Sequence, residues 1–181
     1  MSARLFVAVD LARSDAEALA AWAASAVGDD PGLRLVDVDK LHLTLAFLGH
    51  RALDEVEPLA ALVAEAGDAP PPLSLRSDGA LWLSPRRPHV LTVAIEDRDG
   101  GLASLHDRVW TALEGAGFER EKRPFRPHLT VARVRHGWTA PRRQLPPAPA
   151  RDLTAESLVL YRSYLGGGPA RYEAVVRVAL G

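Results

Sequence analysis

Two histidine–x–threonine motifs are the residues best suited to chemistry in this sequence. They are "HLTL" from His42 and "HLTV" from His128. Histidine has an unperturbed pKa of about 6.5, so it can give or accept a proton near neutral pH. The threonine hydroxyls of Thr44 and Thr130 can donate hydrogen bonds to anionic oxygens. Each motif therefore combines a proton-transfer group with an anion-binding group, unless it is simply the polar end of a sheet edge.

A strand would place the two polar side chains of each motif together, because residues two positions apart share a face. In "DKLHLTLAFLGH" (residues 39–50), strict alternation puts His42, Thr44, Ala46 and Leu48 on one face. It puts Phe47 on the opposite face, with the leucines at positions 41, 43 and 45. We expect this second face to anchor the strand in the core.

The two motifs belong to an internal repeat with an offset of 86 residues. The same offset aligns "LFVAVD" at residues 5–10 with "LTVAIE" at residues 91–96 without a gap, and Leu19 with Leu105. Each half reads strand, helix, His-x-Thr strand. Chance poorly explains two such motifs at equivalent places, so we predict that two related lobes bring both motifs into one cleft.

Two histidines that face one substrate can divide acid and base catalysis between them. The protonated imidazole would protonate a leaving oxygen, the neutral one would activate water, and the hydroxyls would hold non-bridging oxygens, which suits displacement at a phosphodiester. A metal site is the rival chemistry, but the sequence has no cysteine and no His-x-His or HExxH motif. It also lacks a Walker loop and a GxGxxG motif. We expect neither a metal nor another cofactor.

The charge distribution limits the possible partners. The formal net charge of −1 argues against nucleic-acid binding through bulk charge but leaves room for a local basic patch. One basic segment comprises Arg120, Lys122, Arg123, Arg126, Arg133 and Arg135. It predicts either a solvated loop and strand edge or contact with RNA phosphates. The absence of cysteine, of a signal-peptide pattern and of a bilayer-spanning apolar segment favours a cytoplasmic protein without membrane contact.

Hydrophobic periodicity and turn residues predict the elements around the motifs. A Ser14–Glu17 capping box predicts the start of a helix that ends near Val27. A second helix is expected at 53–66, with Pro58 in its first turn, and a third across Leu102–Leu113. Strands are expected at 4–11, 40–49, 73–77, 80–84, 89–96, within 123–134, and at 153–164 and 171–179. "GGGP" (166–169) would join the last two as a hairpin, and residues 139–152 would form an exposed proline-rich loop.

Several of these segments resemble the 2H phosphoesterase superfamily. "KLHLTLAFLG" at 40–49 and "RPFRPHLTVAR" at 123–133 look like its RNA 2′,3′-cyclic phosphodiesterase branch, also called 2′-5′ RNA ligases. "RLFVAVDL" at 4–11 and "ESLVLYRSYL" at 156–165 extend the resemblance over essentially the whole chain. With the repeat, it implies an α+β fold of two pseudo-symmetric lobes, each an antiparallel sheet backed by helices, with a central active-site cleft. Residues 1–181 would form one bilobal domain, with repeat units at about 4–49 and 90–135.

The resemblance also implies an activity and a role for each site residue. The chain would be a hydrolase that converts an RNA or nucleoside 2′,3′-cyclic phosphate to a 2′-phosphomonoester without a metal. His42 would be the proton donor to the 3′ oxygen and His128 the proton acceptor, although the residues alone do not distinguish the two. Thr44 and Thr130 would bind the phosphate. Arg133 matches a family arginine, but its odd offset puts it on the strand face opposite His128 unless a bulge intervenes.

Other functions stay open at this point. A 2H enzyme could act on another small phosphodiester, such as a cyclic ADP-ribose phosphate or a 2′-5′ oligonucleotide, or join 2′-5′ bonds in RNA. The chain could also be a catalytically silent RNA- or nucleotide-binding module, although binding alone does not need two proton-transfer groups. The expected partners are RNA ends or nucleotides that carry a 2′,3′-cyclic phosphate, and we expect a monomer.

Overall fold

The computed structural model describes residues 2–84, 87–141, 144–164 and 170–180. Its helices are α1 (Arg13–Val27), α2 (Val56–Gly67) and α3 (Gly101–Gly115). Its strands are β1 (Ser2–Leu11), β2 (Leu33–Leu35), β3 (His42–Ala52), β4 (Leu75–Leu83), β5 (Val90–Asp97), β6 (His128–Val134), β7 (Asp152–Leu153), β8 (Ala155–Tyr164) and β9 (Arg171–Ala179). Short 3₁₀ helices cover Val38–Lys40 and Leu53–Glu55. The reversal predicted at "GGGP" lies outside the described residues.

These strands form one curled antiparallel sheet, in the order β7-β4-β5-β6-β3-β1-β8-β9, with β2 paired to β6. The predicted α+β class with antiparallel sheets backed by helices is confirmed. The two halves of the sheet meet where β3 pairs with β6, and the paired residues there are Leu43 and Leu129. The two predicted sheets are therefore continuous, joined through a very short ladder.

The helices cover one face of this sheet with their apolar stripes. Leu19 of α1 and Leu105 of α3 occupy the same place in the repeat, and both are fully buried. Helix α1 packs on β2 and β6, while α3 packs on β3 and β5. The Trp110 Nε1–H donates to the Leu45 carbonyl oxygen at 3.3 Å. Each repeat helix thus contacts the motif strand of the other lobe.

The two halves differ in strand register although they share the order strand, helix, motif strand. His42 pairs with Asp10 across β1 and β3. His128 pairs with Ala94 across β5 and β6. Glu96 is the residue 86 positions after Asp10. The pairing of the motif strand with its neighbour is therefore shifted by two residues in the second lobe relative to the first.

The prediction of a Ser14–Glu17 capping box is wrong. Helix α1 follows Ala12 and has no side-chain cap. The backbone N–H of Asp15 donates to the Ala12 carbonyl oxygen at 3.0 Å. Glu17 is occupied by a hydrogen bond from Arg13, at 2.8 Å. The Ser-x-x-Glu spacing therefore did not produce a capping box, because the Asp15 N–H and the Glu17 carboxylate have other hydrogen-bond partners.

Other element boundaries in the structure also differ from those predicted from the sequence. The strands predicted at 73–77 and 80–84 are one strand, β4, with a register irregularity between Ser77 and Ala80. Gly79 has φ +76° there, a conformation that glycine adopts without strain. Pro58 lies in the first turn of α2, as predicted. The described part of the 139–152 loop is not wholly exposed, because Ala148 is buried and Ser77 Oγ donates to the Pro149 carbonyl oxygen.

Candidate active site

A cavity of about 520 Å³ lies over the seam between the two halves of the sheet. Its lining includes all five residues singled out from the sequence: His42, Thr44, His128, Thr130 and Arg133. Strands β3 and β6 carry them, so each lobe contributes one motif. A larger groove of about 950 Å³ lies between α2 and α3, but no histidine lines it. Of these two sites, the seam cavity is therefore the one that holds imidazole groups for acid–base chemistry.

Both motif histidines are anchored through the same ring nitrogen. His42 Nδ1 lies 2.8 Å from the Lys40 carbonyl oxygen, and His128 Nδ1 lies 2.8 Å from the Arg126 carbonyl oxygen. A carbonyl oxygen only accepts hydrogen bonds, so Nδ1 carries the hydrogen in each ring. This leaves Nε2 of each imidazole for proton exchange with a bound molecule.

The threonine hydroxyls are available for a ligand. Thr44 and Thr130 are partly exposed at the cavity wall. Within the described ranges, neither hydroxyl has a hydrogen-bond partner. By contrast, Thr92, which pairs with Thr130 across β5 and β6, is fully buried and donates to the Leu81 carbonyl oxygen at 3.0 Å. The motif hydroxyls can therefore donate to an anionic oxygen without breaking a protein contact.

Bulges in β3 change which side chains share the cavity with His42. Thr44 pairs with Ala8 and Ala46 pairs with Val7, so Leu45 is an extra residue in β3. A second irregularity follows between Leu5 and Phe6. The alternation predicted from the sequence is therefore wrong beyond Thr44. Ala46 and Leu48 are buried, whereas Phe47 is 58% exposed and lines the cavity.

An equivalent bulge brings Arg133 to the cavity. Thr130 pairs with Thr92 and Ala132 with Leu91, which makes Val131 the extra residue in β6. Regular alternation would have turned Arg133 away from His128, so the bulge is the reason for its position. Arg133 lies 86 residues after Phe47. The same irregularity thus presents an aromatic ring in one lobe and a guanidinium in the other.

The two histidines have different surroundings. The His42 ring is packed against Phe6 (centroids 5.0 Å apart), Tyr172 (5.6 Å) and Tyr161 (6.2 Å). This burial lowers the pKa of His42 below its usual value. The bond to Lys40 and the charge of Asp10 raise this pKa, while Arg133 and His128 lower it further. His128 is partly exposed. No described aromatic ring packs on it.

The cavity also contains cationic and aromatic residues that sequence reasoning missed, namely Arg4, Phe6, Arg34, Lys40, Phe47 and Tyr172. Arg34 pairs with Arg133 across β2 and β6. No described carboxylate forms an ion pair with Arg4, Arg34 or Arg133. Applying the 86-residue repeat offset to Arg133 would have identified Phe47 as a candidate site residue. Nothing in the sequence marked Arg34, because β2 has only three residues and shows no period.

The basic segment from Arg120 to Arg135 does not face the cavity as one surface. Arg120 donates to Asp107 at 2.7 Å and to Glu114 at 3.2 Å. Arg135 Nε donates to the Leu33 carbonyl oxygen at 3.0 Å. These two arginines hold the fold, and Arg133 is the member of the segment that lines the cavity.

The described residues contain neither a metal-binding cluster nor a membrane-spanning helix. No three side chains of the metal-binding types cluster closely enough there to hold a metal ion. No described helix has both the length and the apolar character needed to cross a membrane.

The comparisons with known proteins cover nearly the whole chain. Residues 11–166 match the model of the 2′-5′ RNA ligase superfamily. An RNA 2′,3′-cyclic phosphodiesterase of Escherichia coli K12 is 31% identical over 178 residues, which is 98% of this chain and 96% of that protein. An Archaeoglobus fulgidus protein of the same name is 33% identical over 132 residues, 73% of each chain.

Solved structures agree with this match. The crystal structure of E. coli LigT complexed with 3′-AMP superposes with a TM-score of 0.80 at 28% identity over 99% of both chains. TT0787 of Thermus thermophilus gives a TM-score of 0.82 at 28% identity, over 98% of this chain and 97% of that one. The match extends over both lobes and both His-x-Thr strands, so the chain belongs to the 2′-5′ RNA ligase superfamily.

Proposed function

We propose that this chain is a hydrolase that opens RNA or nucleoside 2′,3′-cyclic phosphates to 2′-phosphomonoesters. The observation that carries the proposal is one cavity lined by two histidines, each anchored through Nδ1, and two threonine hydroxyls free to bind a ligand. Curated relatives named RNA 2′,3′-cyclic phosphodiesterase align along nearly the whole chain. E. coli LigT has been crystallised with the nucleotide 3′-AMP.

The proposed reaction uses each motif once. Water attacks the phosphorus, and His128 Nε2 accepts the proton that water releases. The bond between phosphorus and the 3′ oxygen breaks, and the proton on His42 Nε2 passes to that oxygen, so the phosphate stays on the 2′ oxygen. Each such proton transfer contributes about 10²–10⁴-fold to the rate.

The remaining cavity residues would bind the charged phosphate. Thr44 and Thr130 donate hydrogen bonds to its non-bridging oxygens, one from each lobe. Arg133 adds a guanidinium, which pairs with phosphate more favourably than a neutral donor does. Strain in the five-membered cyclic phosphate lowers the barrier, and for this reason we propose that these groups act without a metal.

Four further proposals accompany this function. The described strands of both lobes form one sheet, which supports residues 1–181 as a single bilobal domain. The monomeric state and the cytoplasmic location stay predictions from the sequence. Reversible joining of 2′-5′ bonds would use the same two proton transfers, so we expect it only as a side activity.

A product assay tests the function. The purified protein is incubated with a nucleoside 2′,3′-cyclic phosphate, and separately with a short RNA that ends in one, in excess EDTA. Phosphorus NMR then identifies the product. We expect the 2′-phosphate alone, at a rate that EDTA does not change. A 3′-phosphate product, or a need for added metal, would contradict the proposal.

A further inference from the structure

Asp10 lies directly opposite His42 on the neighbouring strand. Opposed residues of an antiparallel pair have Cβ atoms about 4.5–5.5 Å apart and share a face, so the side chains of Asp10 and His42 are neighbours. No hydrogen bond joins Asp10 to His42, and His42 Nδ1 is bound to the Lys40 carbonyl oxygen instead. Asp10 can therefore act on His42 only through its charge.

Two other strands hold the carboxylate of Asp10 in place. Asp10 Oδ2 accepts hydrogen bonds from Tyr161 Oη of β8 at 2.7 Å and from Arg177 Nη1 of β9 at 2.6 Å. Arg177 Nη1 also lies 2.6 Å from Ser157 Oγ. The side chain of Asp10 is 17% exposed, so water screens its charge only partly. This cluster is outside the proposed chemistry, yet it is adjacent to one of the two histidines.

The other lobe has no such arrangement. Its register is shifted by two residues, so His128 is opposite Ala94, which has no charge. Glu96, at the position that corresponds to Asp10, is 3.4 Å from Arg98 Nε instead. The symmetry of the two motifs is therefore broken by one carboxylate.

We propose that Asp10, held by Tyr161 and Arg177, is a positioning residue that stabilises the protonated form of His42 and so suits His42 to donate the proton. This inference rests on the proposed function. Burial against aromatic rings favours the neutral imidazole, which would suit a base better than an acid. A negative charge beside His42 acts against this effect of burial.

The other groups around His42 do not supply a negative charge. Strand β6 places His128 and Arg133 near the ring, and both lower the pKa of His42. Tyr161 of β8 and Tyr172 of β9 pack on the ring. The pKa of Tyr161 is raised to about 12, first by burial and then by Asp10, so its hydroxyl stays neutral.

The cations near this group also leave Asp10 as the source of negative charge. Arg177 faces Asp10, and Lys40 contributes its carbonyl oxygen to His42 while its ammonium is bound to Asp37. Among the described groups that shift the pKa of His42, Asp10 supplies the negative charge.

The first test is the pH dependence of kcat/KM in Asp10→Asn. The rate should follow a bell-shaped curve against pH, and its alkaline limb falls as His42 loses its proton. Without the carboxylate, His42 loses its proton at lower pH. We therefore expect a roughly three- to tenfold loss of kcat/KM at pH 8 and an unchanged acid limb. Glu96→Gln is the matched control and should leave both limbs in place.

Arg177→Gln should shift the alkaline limb of the pH profile in the opposite direction. It removes the cation that partly neutralises Asp10, so the alkaline limb should move to higher pH. A purely structural role for the cluster would not shift the limb in opposite directions in the two variants. The side chain of Arg177 is 49% exposed, so this variant can decide the question even if Asp10→Asn does not fold.

An NMR titration of the histidine rings separates this inference from the proposed function. The titration of His42 should move to lower pH in Asp10→Asn and to higher pH in Arg177→Gln, with or without turnover. Unchanged titration of His42 in these variants would overturn the role of Asp10. An inactive wild-type protein whose His42 titration still follows Asp10 would overturn the proposed function and leave the coupling intact.

Discussion

At the scale of single residues, two identical motifs carry different surroundings. Both imidazoles are fixed through Nδ1 to the carbonyl oxygen two residues earlier. His42 is then packed among Phe6, Tyr161 and Tyr172, whereas His128 is partly exposed. The two motif sequences therefore give equal capacity for proton transfer, and the different neighbours of the two histidines support the separate roles proposed for them.

Replacing either motif histidine tests whether the two act as one catalytic unit. We expect His42→Ala and His128→Ala each to lower kcat by about 10²–10⁴-fold, because each removes one proton transfer. The double variant should be little worse than the worse single variant, since the groups act in the same step. Turnover of a nucleoside 2′,3′-cyclic phosphate is the measurement.

His50 provides the matched control for these variants. It is an exposed histidine of the same strand β3, and it is not in the cavity lining. His50→Ala should keep the wild-type rate. A motif variant with wild-type kcat would exclude the two-histidine scheme.

At the scale of elements, the site depends on irregular strands. A regular β3 would bury Phe47, and a regular β6 would turn Arg133 away from the cavity. One extra residue in each strand, Leu45 and Val131, brings both side chains to the face that carries the motifs. Each bulge thus adds one side chain that lines the cavity to the histidine and threonine of its motif.

Features of the fold and the site that depend on one segment could be predicted from the sequence, whereas features that depend on strand pairing could not. The repeat, the motif strands and the stripe of α3 appear in the sequence, because periodicity within a segment reports them. Bulges depend on how one strand pairs with another, so Phe47 was assigned to the wrong face and Arg133 only conditionally to the right one. Arg34 was missed because β2 exists only through its pairing with β6.

Helix α3 receives its N-terminal cap from the preceding strand. The Asp97 carboxylate accepts hydrogen bonds from the backbone N–H groups of Leu102 at 3.1 Å and Ala103 at 2.8 Å. Asp97→Ala should lower the free energy of unfolding by about 1–2 kcal/mol, because two N–H groups lose their acceptor. Urea denaturation is the measurement. The kcat of the folded variant should not change, because Asp97 is not in the cavity lining.

Asp78→Ala is the control for this cap. Asp78 is exposed and makes no hydrogen bond to another described residue. Its replacement should leave the urea midpoint nearly unchanged. Equal stability of Asp97→Ala and the wild type would mean that water satisfies the helix end as well as the carboxylate does.

At the scale of the whole molecule, the helices and the short strand β2 join the two lobes, since β2 of the first repeat unit pairs with β6 of the second. The ladder between β3 and β6 is minimal, at Leu43 and Leu129. Helix α3 adds the bond from Trp110 to Leu45, and α1 packs on β6. The cavity therefore forms between strands that are only briefly hydrogen-bonded, which leaves the motif faces open to a substrate.

The charge of the molecule is also uneven. The formal net charge is −1, yet Arg4, Arg34 and Arg133 line one cavity without a carboxylate partner among the described residues. Unpaired guanidinium groups attract phosphate locally, without the general affinity of a basic protein for nucleic acid. Arg34 is exposed on β2, beside Arg133. It is thus placed to contact a phosphate next to the scissile one.

This placement predicts that Arg34 distinguishes RNA from a mononucleoside. Arg34→Gln should raise KM several-fold for a short RNA with a 2′,3′-cyclic end and hardly change KM for a nucleoside 2′,3′-cyclic phosphate, which has no second phosphate. The salt dependence of log(kcat/KM) for the RNA should weaken by about 0.7 per lost phosphate contact. Arg13→Gln, at an exposed arginine paired with Glu17 on α1, is the control. Equal losses on both substrates would instead place Arg34 at the scissile phosphate, and no loss on either would remove it from the substrate path.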